Sequence, residues 1–387
     1  MTARMAKRAQ QIAPFHVMRI LQQARELEAQ GRSIIHMEIG EPDFASPATV
    51  IRAGKQALDE KHTHYTAANG LPELRDAIAN QYSEQVMIDA QRIIVTPGAS
   101  GALQLVMATL LDPADGIMMA DPGYPCNRHI ASLFNADVQA VAVNQETDYQ
   151  LSAELVERNW RENTRVVLIA SPSNPTGTLI SPEQLSEIYQ LVQDKGAHLI
   201  VDEIYHGLVY NQQVPSALSY GDQLFVINSF SKFYGMTGWR VGWLVVPDQY
   251  IEVANRLAQN MFLAAPTISQ YAALAALDTE TRPELLRRRD IFHQRRDILL
   301  PLIEQTGFKV RTRPGGAFYI YADCSAISDD SMKLCDTLLH DAGVAITPGE
   351  DFGSNNSRVY VRFSYANTIE NLQEGMRRIQ LATRNAN

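Results

Sequence analysis

Residues 228 to 242 read Asn228-Ser-Phe-Ser-Lys-Phe-Tyr-Gly-Met-Thr-Gly-Trp-Arg-Val-Gly242 and contain a single lysine, Lys232. The apolar runs 224–227 and 241–246, which lead into and out of this stretch, predict two buried strands. A lysine held between buried strands loses hydration, and this loss lowers the pKa of its amine. The neutral amine that results is a nucleophile toward carbonyl groups. The stretch therefore predicts a reactive lysine next to buried strands.

Two serines and an arginine accompany this lysine. Ser229 and Ser231 offer hydroxyl groups, and Arg240 offers a planar fork of N–H donors, so together they suit a phosphate group. The pattern Ser-x-Ser-Lys, followed by Gly-x-Arg-x-Gly, resembles the lysine region of the class I/II aminotransferases, which are pyridoxal-phosphate (PLP) enzymes of fold type I in the aspartate aminotransferase superfamily. The resemblance implies that Lys232 forms a Schiff base with PLP. It also implies that Ser229, Ser231 and Arg240 bind the phosphate of the cofactor.

The composition narrows the possible classes of protein. With 387 residues the chain is long enough for two domains, and its 45% apolar and 20% charged residues are typical of a globular protein. The net charge of −9, without a basic block, argues against binding to nucleic acid. No apolar stretch reaches about 20 residues, so we expect no membrane span. The nine histidines form no His-Glu-x-x-His spacing, so we expect no metal site.

The cysteines and the N-terminal residues indicate the cellular compartment of the protein. The three cysteines, Cys126, Cys324 and Cys335, cannot all pair and include no Cys-x-x-Cys spacing. Reduced thiols are typical of proteins that stay in the cytosol. The segment from Met1 to Phe15 is basic and polar and lacks the apolar region of a secretory signal. We therefore expect a cytoplasmic protein.

Strand and helix patterns alternate through the first two-thirds of the chain. Short apolar runs typical of buried strands follow one another with helical patterns between them. This order predicts an α/β fold with a mostly parallel sheet sandwiched by helices. In such sheets, ligands bind at the carboxyl ends of the strands. The apolar runs lie at residues 92–96, 117–120, 138–143, 166–170, 198–201 and 224–227.

The remaining segments predict a second, smaller domain. We expect residues 46–275 to form a large PLP-binding domain, and residues 1–45 and 276–387 to form a small α+β domain. A charged helical pattern at 282–303 is the expected bridge to the second domain, with most of its charges solvated. The stretch Pro314-Gly-Gly-Ala-Phe-Tyr-Ile-Tyr321 predicts a strand that resembles the small-domain strand of the family.

A glycine-containing turn, Pro97-Gly-Ala-Ser-Gly101, separates the strand at 92–96 from a helix predicted for 102–111. Strand, turn and helix in this order favour anion binding, because free backbone N–H groups and the helix dipole point at the turn. Alone, the turn is equally typical of an ordinary tight turn. The resemblance implies that the N–H of Ala99 and the residue Ser100 contact the phosphate of PLP.

Three strand ends carry residues that the resemblance assigns to the ring of PLP. Tyr124, in an Asp-Pro-Gly-Tyr-Pro turn, is implied to stack on the ring. Asn174, in Ser-Pro-Ser-Asn-Pro-Thr-Gly, is implied to bond to the 3′ oxygen, with a cis peptide bond before Pro175. Asp202 is implied to pair with the pyridine nitrogen, and Tyr205 to donate to the 3′ oxygen. A carboxylate at the end of a buried strand needs such a partner.

Other motifs are assigned by the resemblance to the substrate and to a second subunit. Gly40, in Gly-Glu-Pro-Asp-Phe, and Arg362 are implied to hold the α-carboxylate of the amino acid, together with Asn174. Arginine suits a carboxylate because it offers two parallel N–H donors, although alone Arg362 is equally typical of an exposed strand. Tyr65, in His-Tyr-Thr-Ala-Ala-Asn-Gly, is implied to reach the PLP phosphate of the partner in a homodimer with shared active sites.

The motifs occur in the order of the family and together imply a PLP-dependent aminotransferase. The implied mechanism is ping-pong, in which an L-amino acid passes its amino group through the Schiff base to a 2-oxo acid. Lys232 is implied to carry the proton between Cα and C4′ as general base and acid. Asp202 and Tyr205 complete the implied catalytic residues.

Apolar residues near the implied substrate site favour a neutral amino acid. Phe15 and Met18 lie in an N-terminal helical pattern, and Ile39 precedes Gly40. The sequence identifies no second arginine placed for a dicarboxylate. We therefore expect an apolar or aromatic amino acid rather than aspartate.

Two other functions use similar motifs. A fold type I carbon–sulfur β-lyase needs the same lysine and the same ring, so the motifs do not separate it from an aminotransferase. A PLP-binding regulatory domain of a transcription factor shares the fold. This last function is disfavoured, because the chain is acidic and the predicted fold starts close to Met1, with little room for a DNA-binding unit.

Overall fold

The computed structural model of the protein describes residues 5–384. Within that range the helices are α1 (Lys7–Gln11), α2 (His16–Ala29), α3 (Ala48–Asp59), α4 (Pro72–Tyr82), α5 (Gly98–Leu110), α6 (Pro125–Leu133), α7 (Ala153–Arg158), α8 (Pro182–Asp194), α9 (Ile251–Met261), α10 (Thr267–Leu277), α11 (Arg282–Gln305), α12 (Ser331–Thr337) and α13 (Ile369–Arg384). The strands are β1 (Ile35–His36), β2 (Ile93–Thr96), β3 (Gly116–Asp121), β4 (Asp137–Ala142), β5 (Thr164–Ala170), β6 (His198–Asp202), β7 (Leu224–Ser229), β8 (Gly242–Val245), β9 (Tyr319–Asp323), β10 (Val344–Ala345), β11 (Thr347–Pro348) and β12 (Tyr360–Ser364).

Seven strands form one central sheet in the order β2–β8–β7–β6–β5–β3–β4. Strand β8 runs antiparallel to both of its neighbours, and the other six strands are parallel to one another. The interior strands are nearly continuous apolar runs, such as Leu224-Phe-Val-Ile227 in β7, because helices cover both faces of the sheet. This architecture is the α/β fold predicted from the sequence.

Alternate residues of each strand pack on opposite faces of the sheet. In β5, Val167 and Ile169 belong to a core with α3, α4, α8 and α10, whereas Val166 and Leu168 belong to a core with α5, α6 and α9. This alternation follows from the two-residue period of a strand. The two cores fix the strand ends at which the predicted site residues lie.

A third apolar core is separate from these two. Side chains of α2, α11, α12 and α13 and of β1, β9, β10 and β12 build it, together with Tyr205, Leu208 and Tyr210. Strands β11, β12 and β9 form an antiparallel sheet, and β1 pairs with β10 in parallel. From this distribution of cores, we propose that residues 46–275 form a large domain and that residues 1–45 join residues 276–387 in a small one.

Helix α5 begins earlier than predicted, at Gly98 rather than at Ala102. Gly98 has a φ angle of 73°, which glycine adopts without strain. The glycine-containing turn is therefore the first turn of the helix, so Ala99 and Ser100 lie where backbone N–H groups have no partner within the helix.

The strand predicted from Pro314 begins only at Tyr319. The N–H groups of Gly315 and Gly316 both donate to the carbonyl oxygen of Gly177, at 2.9 Å each. These bonds tie the segment before Tyr319 to the loop after β5 instead of to a neighbouring strand.

The charges of α11 are less exposed than predicted. Arg288, Arg295 and Arg296 are 8%, 5% and 3% exposed. Arg288 donates to the carbonyl oxygen of Ala45, and Arg295 pairs with Asp43. The prediction of a mostly solvated helix was therefore wrong for these residues: Arg288 and Arg295 bind the loop after β1, and Arg296 donates to the carbonyl oxygen of Pro314.

No helix in residues 5–384 is long and apolar enough to cross a membrane. In the same part of the chain, no cluster of three or more His, Cys, Asp or Glu side chains is arranged to hold a metal ion. The three cysteines, Cys126, Cys324 and Cys335, are free thiols.

Candidate active site

A cavity of about 480 Å³ lies beside the carboxyl ends of β5, β6 and β7. Two residues predicted for the site, Ser229 and Tyr65, do not line it. Since the lining residues come from positions between 15 and 362, the fold assembles a site that is dispersed in the sequence. The predicted residues that line the cavity are Gly40, Ala99, Ser100, Tyr124, Asn174, Asp202, Tyr205, Ser231, Lys232, Arg240 and Arg362.

Lys232 follows the end of β7 and reaches into the cavity. Its Nζ donates a hydrogen bond of 2.5 Å to the carbonyl oxygen of Gly40. Burial lowers the pKa of Lys232 to about 8. The positive charges of Arg362 and Arg240 act in the same direction, and the carboxylate of Glu41 opposes them. The amine therefore loses its proton far more readily than an exposed lysine and suits both nucleophilic and proton-transfer roles.

Asp202 is the last residue of β6 and lines the same cavity. Its Oδ1 accepts a hydrogen bond of 3.0 Å from the N–H of Ile204, the one hydrogen bond to this carboxylate in the described part of the chain. Burial raises the pKa of Asp202 to about 6. A half-buried carboxylate with unused acceptor capacity favours a cationic partner, and a protonated pyridine nitrogen fits this need.

The start of α5 lies against the arginine of the lysine motif. A Cβ atom on Gly98 would collide with Nη2 of Arg240, and one on Gly242 would lie 2.8 Å from the nitrogen of Ala99. Both glycines are therefore required for this close approach. The N–H groups at the start of α5, the Arg240 guanidinium and the hydroxyl of Ser231 form a set of donors that fits a phosphate.

Ser229 differs from the other residues predicted to bind phosphate. Its hydroxyl donates to the hydroxyl of Ser231 at 2.9 Å or to the carbonyl oxygen of Val241 at 3.1 Å, and it accepts from the N–H of Ser231 at 3.0 Å. Ser229 is 1% exposed and lies behind Ser231, away from the cavity. The geometry does not support the predicted direct phosphate contact. We propose instead that Ser229 holds Ser231 in place.

Arg362, in β12, is 2% exposed and forms part of the cavity wall. Its Nη1 donates to Oδ1 of Asn174 at 2.9 Å. Its Nη2 donates to the carbonyl oxygen of Glu38 and to the hydroxyl of Thr347. Its Nε is buried and has no partner among residues 5–384. Nη1 carries a second N–H, which remains available to a carboxylate ligand in the cavity.

Two aromatic rings pack against this guanidinium. The Cζ of Arg362 lies 4.3 Å from the ring centroid of Tyr319 and 4.9 Å from that of Phe352. Cations are attracted to aromatic faces at such distances. The rings therefore restrain the guanidinium of Arg362 at the cavity wall.

Asn174, Tyr205 and Tyr124 reach the cavity from three different connections of the sheet. The bond between Asn174 and Pro175 is cis, which confirms the sequence prediction. The hydroxyl oxygen of Tyr205 lies 2.8 Å from that of Tyr319. Because Asn174, Tyr205 and Tyr124 line the same cavity, one ligand can contact all three of these residues, which are implied to bind the ring of PLP.

Tyr65 does not reach the cavity of its own chain. It is 82% exposed and lines a separate groove with Asn255, Gln259 and Leu263. This exposure leaves Tyr65 free to contact another subunit. The role across a dimer interface stays a prediction.

Tyr319 and Arg25 are among the cavity residues that had no role in the sequence analysis. Tyr319 lies in the stretch Pro314-Gly-Gly-Ala-Phe-Tyr-Ile-Tyr321, for which the sequence predicted only a strand. Arg25 lines the cavity from α2, although the sequence identified no second arginine near the substrate. The signal for Arg25 is its helical spacing from Met18 and Leu21, which line the cavity on the same face of α2.

The chain matches the family model for aminotransferase class I and II over residues 32–379. It is 37% identical over 381 residues to the (5-formylfuran-3-yl)methyl phosphate transaminase of Methanocaldococcus jannaschii, which covers 97% of this chain and 98% of the relative. It is 37% identical over 383 residues to the valine–pyruvate aminotransferase of Mycobacterium tuberculosis, with 98% of each chain covered. The crystal structure of an aminotransferase from Mycobacterium tuberculosis has a TM-score of 0.96 at 36% identity and covers 99% of this chain and 100% of that chain.

A mostly parallel sheet between helices, with a reactive lysine at its carboxyl edge, has the architecture of the fold type I transaminases. The chain belongs to the class I and II aminotransferase family, whose model spans most of its length. It is therefore an enzyme of the transaminase class, which confirms the prediction made from the motifs around Lys232.

Proposed function

We propose that this protein transfers the amino group of a neutral L-amino acid to a 2-oxo acid, with PLP as cofactor and with ping-pong kinetics. The observation that carries the proposal is the location of Lys232, an amine of lowered pKa, in one cavity with Asp202, Arg240 and Arg362. The two half-reactions share this cavity. The 2-oxo acid made from the first amino acid leaves before the second 2-oxo acid binds.

The donors and acceptors of the cavity fit the phosphate and the nitrogen of PLP. Arg240, Ser231 and the start of α5 at Ala99 and Ser100 would hold the phosphate. Asp202 would pair with the pyridine nitrogen, since burial leaves its carboxylate in need of a cation. When bound, PLP supplies a carbonyl for the amine and an electron-poor ring that accepts electrons from Cα.

Three other side chains fit the ring of the cofactor. Asn174 and Tyr205 would bond to its 3′ oxygen, and the ring of Tyr124 would stack on it. Tyr205 is buried and its hydroxyl bonds to that of Tyr319, so the position of its hydroxyl oxygen is fixed. These contacts would orient the ring of PLP relative to Lys232.

Lys232 is the residue that moves the proton. Its free amine would accept the proton that the substrate loses from Cα and would later return it. A pKa of about 8 lies close to the pH at which such a base works best. The carbonyl oxygen of Gly40 would accept a hydrogen bond from the charged form of Lys232 during this transfer.

Arg362 would bind the α-carboxylate that all substrates share. Its Nη1 has a second N–H for a ligand, and its position is restrained by Asn174 and by the ring of Tyr319. The loop at Gly40 forms the adjacent wall of the cavity. A carboxylate bound here would lie beside Lys232, which faces the same loop.

The side chain of the substrate would meet a mostly apolar wall. An apolar surface of this kind favours apolar and aromatic side chains, because their burial releases water. Arg25 also lines the cavity, but it is exposed, and an exposed arginine stabilises a carboxylate only weakly. The valine–pyruvate aminotransferase among the relatives is compatible with a neutral substrate. The apolar residues of the wall include Phe15, Val17, Met18, Leu21, Ile39 and Leu103.

We further propose that the active enzyme is a homodimer. Tyr65 is 82% exposed beside the groove formed by Asn255, Gln259 and Leu263. A second copy of the chain would cover this groove and bring Tyr65 to the phosphate of the cofactor bound by its partner.

The experiment that tests the proposal is a titration of the PLP-loaded protein with L-amino acids, followed by absorbance. A neutral apolar or aromatic amino acid should bleach the visible band, and a 2-oxo acid should restore it. Release of pyruvate from cysteine conjugates without an amino-acid product would contradict the transaminase function in favour of a β-lyase. Faster bleaching by aspartate than by any neutral amino acid would contradict the substrate preference.

A further inference from the structure

Tyr319 contacts three parts of the cavity at once. It is the first residue of β9 and is 1% exposed. Its hydroxyl oxygen lies 2.8 Å from that of Tyr205, and its ring centroid lies 4.3 Å from Cζ of Arg362. A Cβ atom on Gly40 would lie 2.6 Å from the hydroxyl oxygen of Tyr319, so the loop at Gly40 packs directly against it. These contacts connect the residues proposed for the cofactor with those proposed for the substrate.

We propose that Tyr319 is a positioning residue for both halves of the site, with its hydroxyl orienting Tyr205 and its ring orienting Arg362. The inference rests on the proposed function, which gives Tyr205 the 3′ oxygen of PLP and Arg362 the α-carboxylate. Tyr319 acts through these two side chains. One residue thereby couples the geometry of the cofactor to that of the substrate.

The hydrogen bond between the hydroxyls of Tyr205 and Tyr319 has a single direction when the cofactor is bound. Each phenol carries a single proton. When the hydroxyl of Tyr205 donates its hydrogen bond to the 3′ oxygen, its oxygen can only accept a hydrogen bond from the hydroxyl of Tyr319. A hydroxyl that accepts a hydrogen bond is a stronger donor, because neighbouring hydrogen bonds polarise one another. Tyr319 therefore strengthens the bond from Tyr205 to the cofactor.

The ring of Tyr319 acts on a different partner. Arg362 lies opposite Tyr321 in the register of β9 and β12, so Tyr319 is its diagonal neighbour on the same face. The ring of Phe352 packs on the same guanidinium at 4.9 Å. Rotation of the guanidinium away from these faces would lose the cation–π attraction. The ring of Tyr319 therefore holds Arg362 before a carboxylate arrives.

Two substitutions separate the hydroxyl from the ring. Tyr319→Phe removes the hydroxyl alone, whereas Tyr319→Leu removes the ring as well. The matched control is Tyr321→Phe, because Tyr321 lies on the same strand and face and is buried, and its hydroxyl has no partner in the range 5–384. Each variant is loaded with PLP, and its Tm is recorded to verify that it folds. The ligand for binding measurements is 3-phenylpropanoate, a carboxylate without an amino group.

For Tyr319→Phe we expect a rise of about 0.5 in the pKa that is obtained by following the visible absorbance of bound PLP against pH. The reason is that a weaker hydrogen bond from Tyr205 stabilises negative charge on the 3′ oxygen less. The charged and titratable groups near the hydroxyl pair are Arg362, Tyr124 and Lys232. The Nζ of Lys232 lies 5.8 Å from the ring centroid of Tyr205. Tyr319→Phe changes none of these three residues. We expect kcat to fall while the Kd of 3-phenylpropanoate changes less than about twofold, since the ring remains.

For Tyr319→Leu we expect the Kd of 3-phenylpropanoate and the KM of the amino acid to rise by about three- to tenfold as well. Identical band pKa, kcat and Kd values for Tyr319→Phe and Tyr321→Phe would refute the role of the hydroxyl. Equal loss of 3-phenylpropanoate binding in Tyr319→Phe and Tyr319→Leu would refute the role of the ring. A native protein that forms a PLP band and turns over amino acids distinguishes these outcomes from a failure of the proposed function.

Discussion

The Nζ of Lys232 lies 2.5 Å from the carbonyl oxygen of Gly40, which is 192 residues earlier in the chain. The loop that carries Gly40 is also bound by helix α11, where Arg295 donates to both carboxylate oxygens of Asp43 at 2.7 and 2.8 Å. The surroundings of the reactive amine therefore depend on a loop that a distant helix holds in place.

Replacement of the reactive lysine should remove turnover without releasing the cofactor. In Lys232→Ala the base that moves the proton is lost, so we expect kcat to fall by about 10²- to 10⁴-fold. The phosphate contacts of Arg240 and Ser231 remain, and PLP should stay bound through dialysis, as absorbance measures. The control is Lys55→Ala, which changes an exposed lysine on α3. Full turnover in Lys232→Ala would refute the assignment.

The lowered pKa of Lys232 should be visible in the apoprotein. Only the neutral amine reacts with trinitrobenzenesulfonate, so the rate at Lys232 should rise with pH and level off above about 8, where most of the amine has lost its proton. Peptide mapping by mass spectrometry measures the rate at this residue. Free N-acetyl-lysine, with an ordinary pKa of about 10.4, is the reference. A midpoint at Lys232 close to that of the reference would contradict the effect of burial.

The carboxylate role of Arg362 predicts a defect in KM. Arg362→Gln keeps a side chain that can bond to Asn174 but removes the charge, so we expect the KM of the amino acid to rise by about 30- to 1,000-fold, equivalent to about 2–4 kcal/mol. Initial rates with several amino acids measure this change, which should be similar for all of them. Arg358→Gln, four residues earlier and exposed, should leave KM unchanged.

The pair of Arg295 and Asp43 should stabilise the protein and support catalysis. Arg295 is nearly buried and Asp43 is 25% exposed, so the loss of one partner should lower the free energy of unfolding by about 1–3 kcal/mol, less than for a fully buried pair. Asp43→Asn, Arg295→Gln and the double variant form a double-mutant cycle, measured by denaturant unfolding and by kcat. Strictly additive effects would show that the two side chains are not coupled.

A surface pair provides the control for this cycle. Arg377 and Glu374 lie on α13 with side chains 59% and 35% exposed. Such pairs contribute about 0–1 kcal/mol. We therefore expect Glu374→Gln to leave kcat unchanged and to alter stability less than Asp43→Asn.

Much of the site was predictable because parallel strands end at one edge of a sheet. Tyr124, Asn174, Asp202 and Lys232 lie at or just after the ends of strands whose apolar runs are evident in the sequence, so their convergence followed from the fold class. The motifs then supplied the chemistry. Arg362 was predictable only through the resemblance, because nothing in the alternation of its strand shows that it is buried.

The long-range contacts that stabilise the site could not be predicted from local sequence patterns. The carboxylate of Asp351 accepts hydrogen bonds from the N–H groups of His16 and Val17, at 2.7 and 2.8 Å, and so caps α2 from a position 335 residues away from His16. A cap of this kind normally comes from the residue just before the helix. The burial of the arginines of α11 was likewise not predictable from the sequence, since a charged helical pattern normally indicates a solvated face.

The parallel pairing of β1 with β10 places Ile35 beside Val344. A ribosome adds about 5–20 residues per second, so the strand that receives β1 emerges roughly 15 to 60 s after β1 itself. The residues proposed for the phosphate lie between these two strands and are complete well before β10 exists. Strand β1 is therefore made long before it can pair, and during synthesis the apolar face of the amphipathic helix α2 lacks the partners that it contacts in the folded protein.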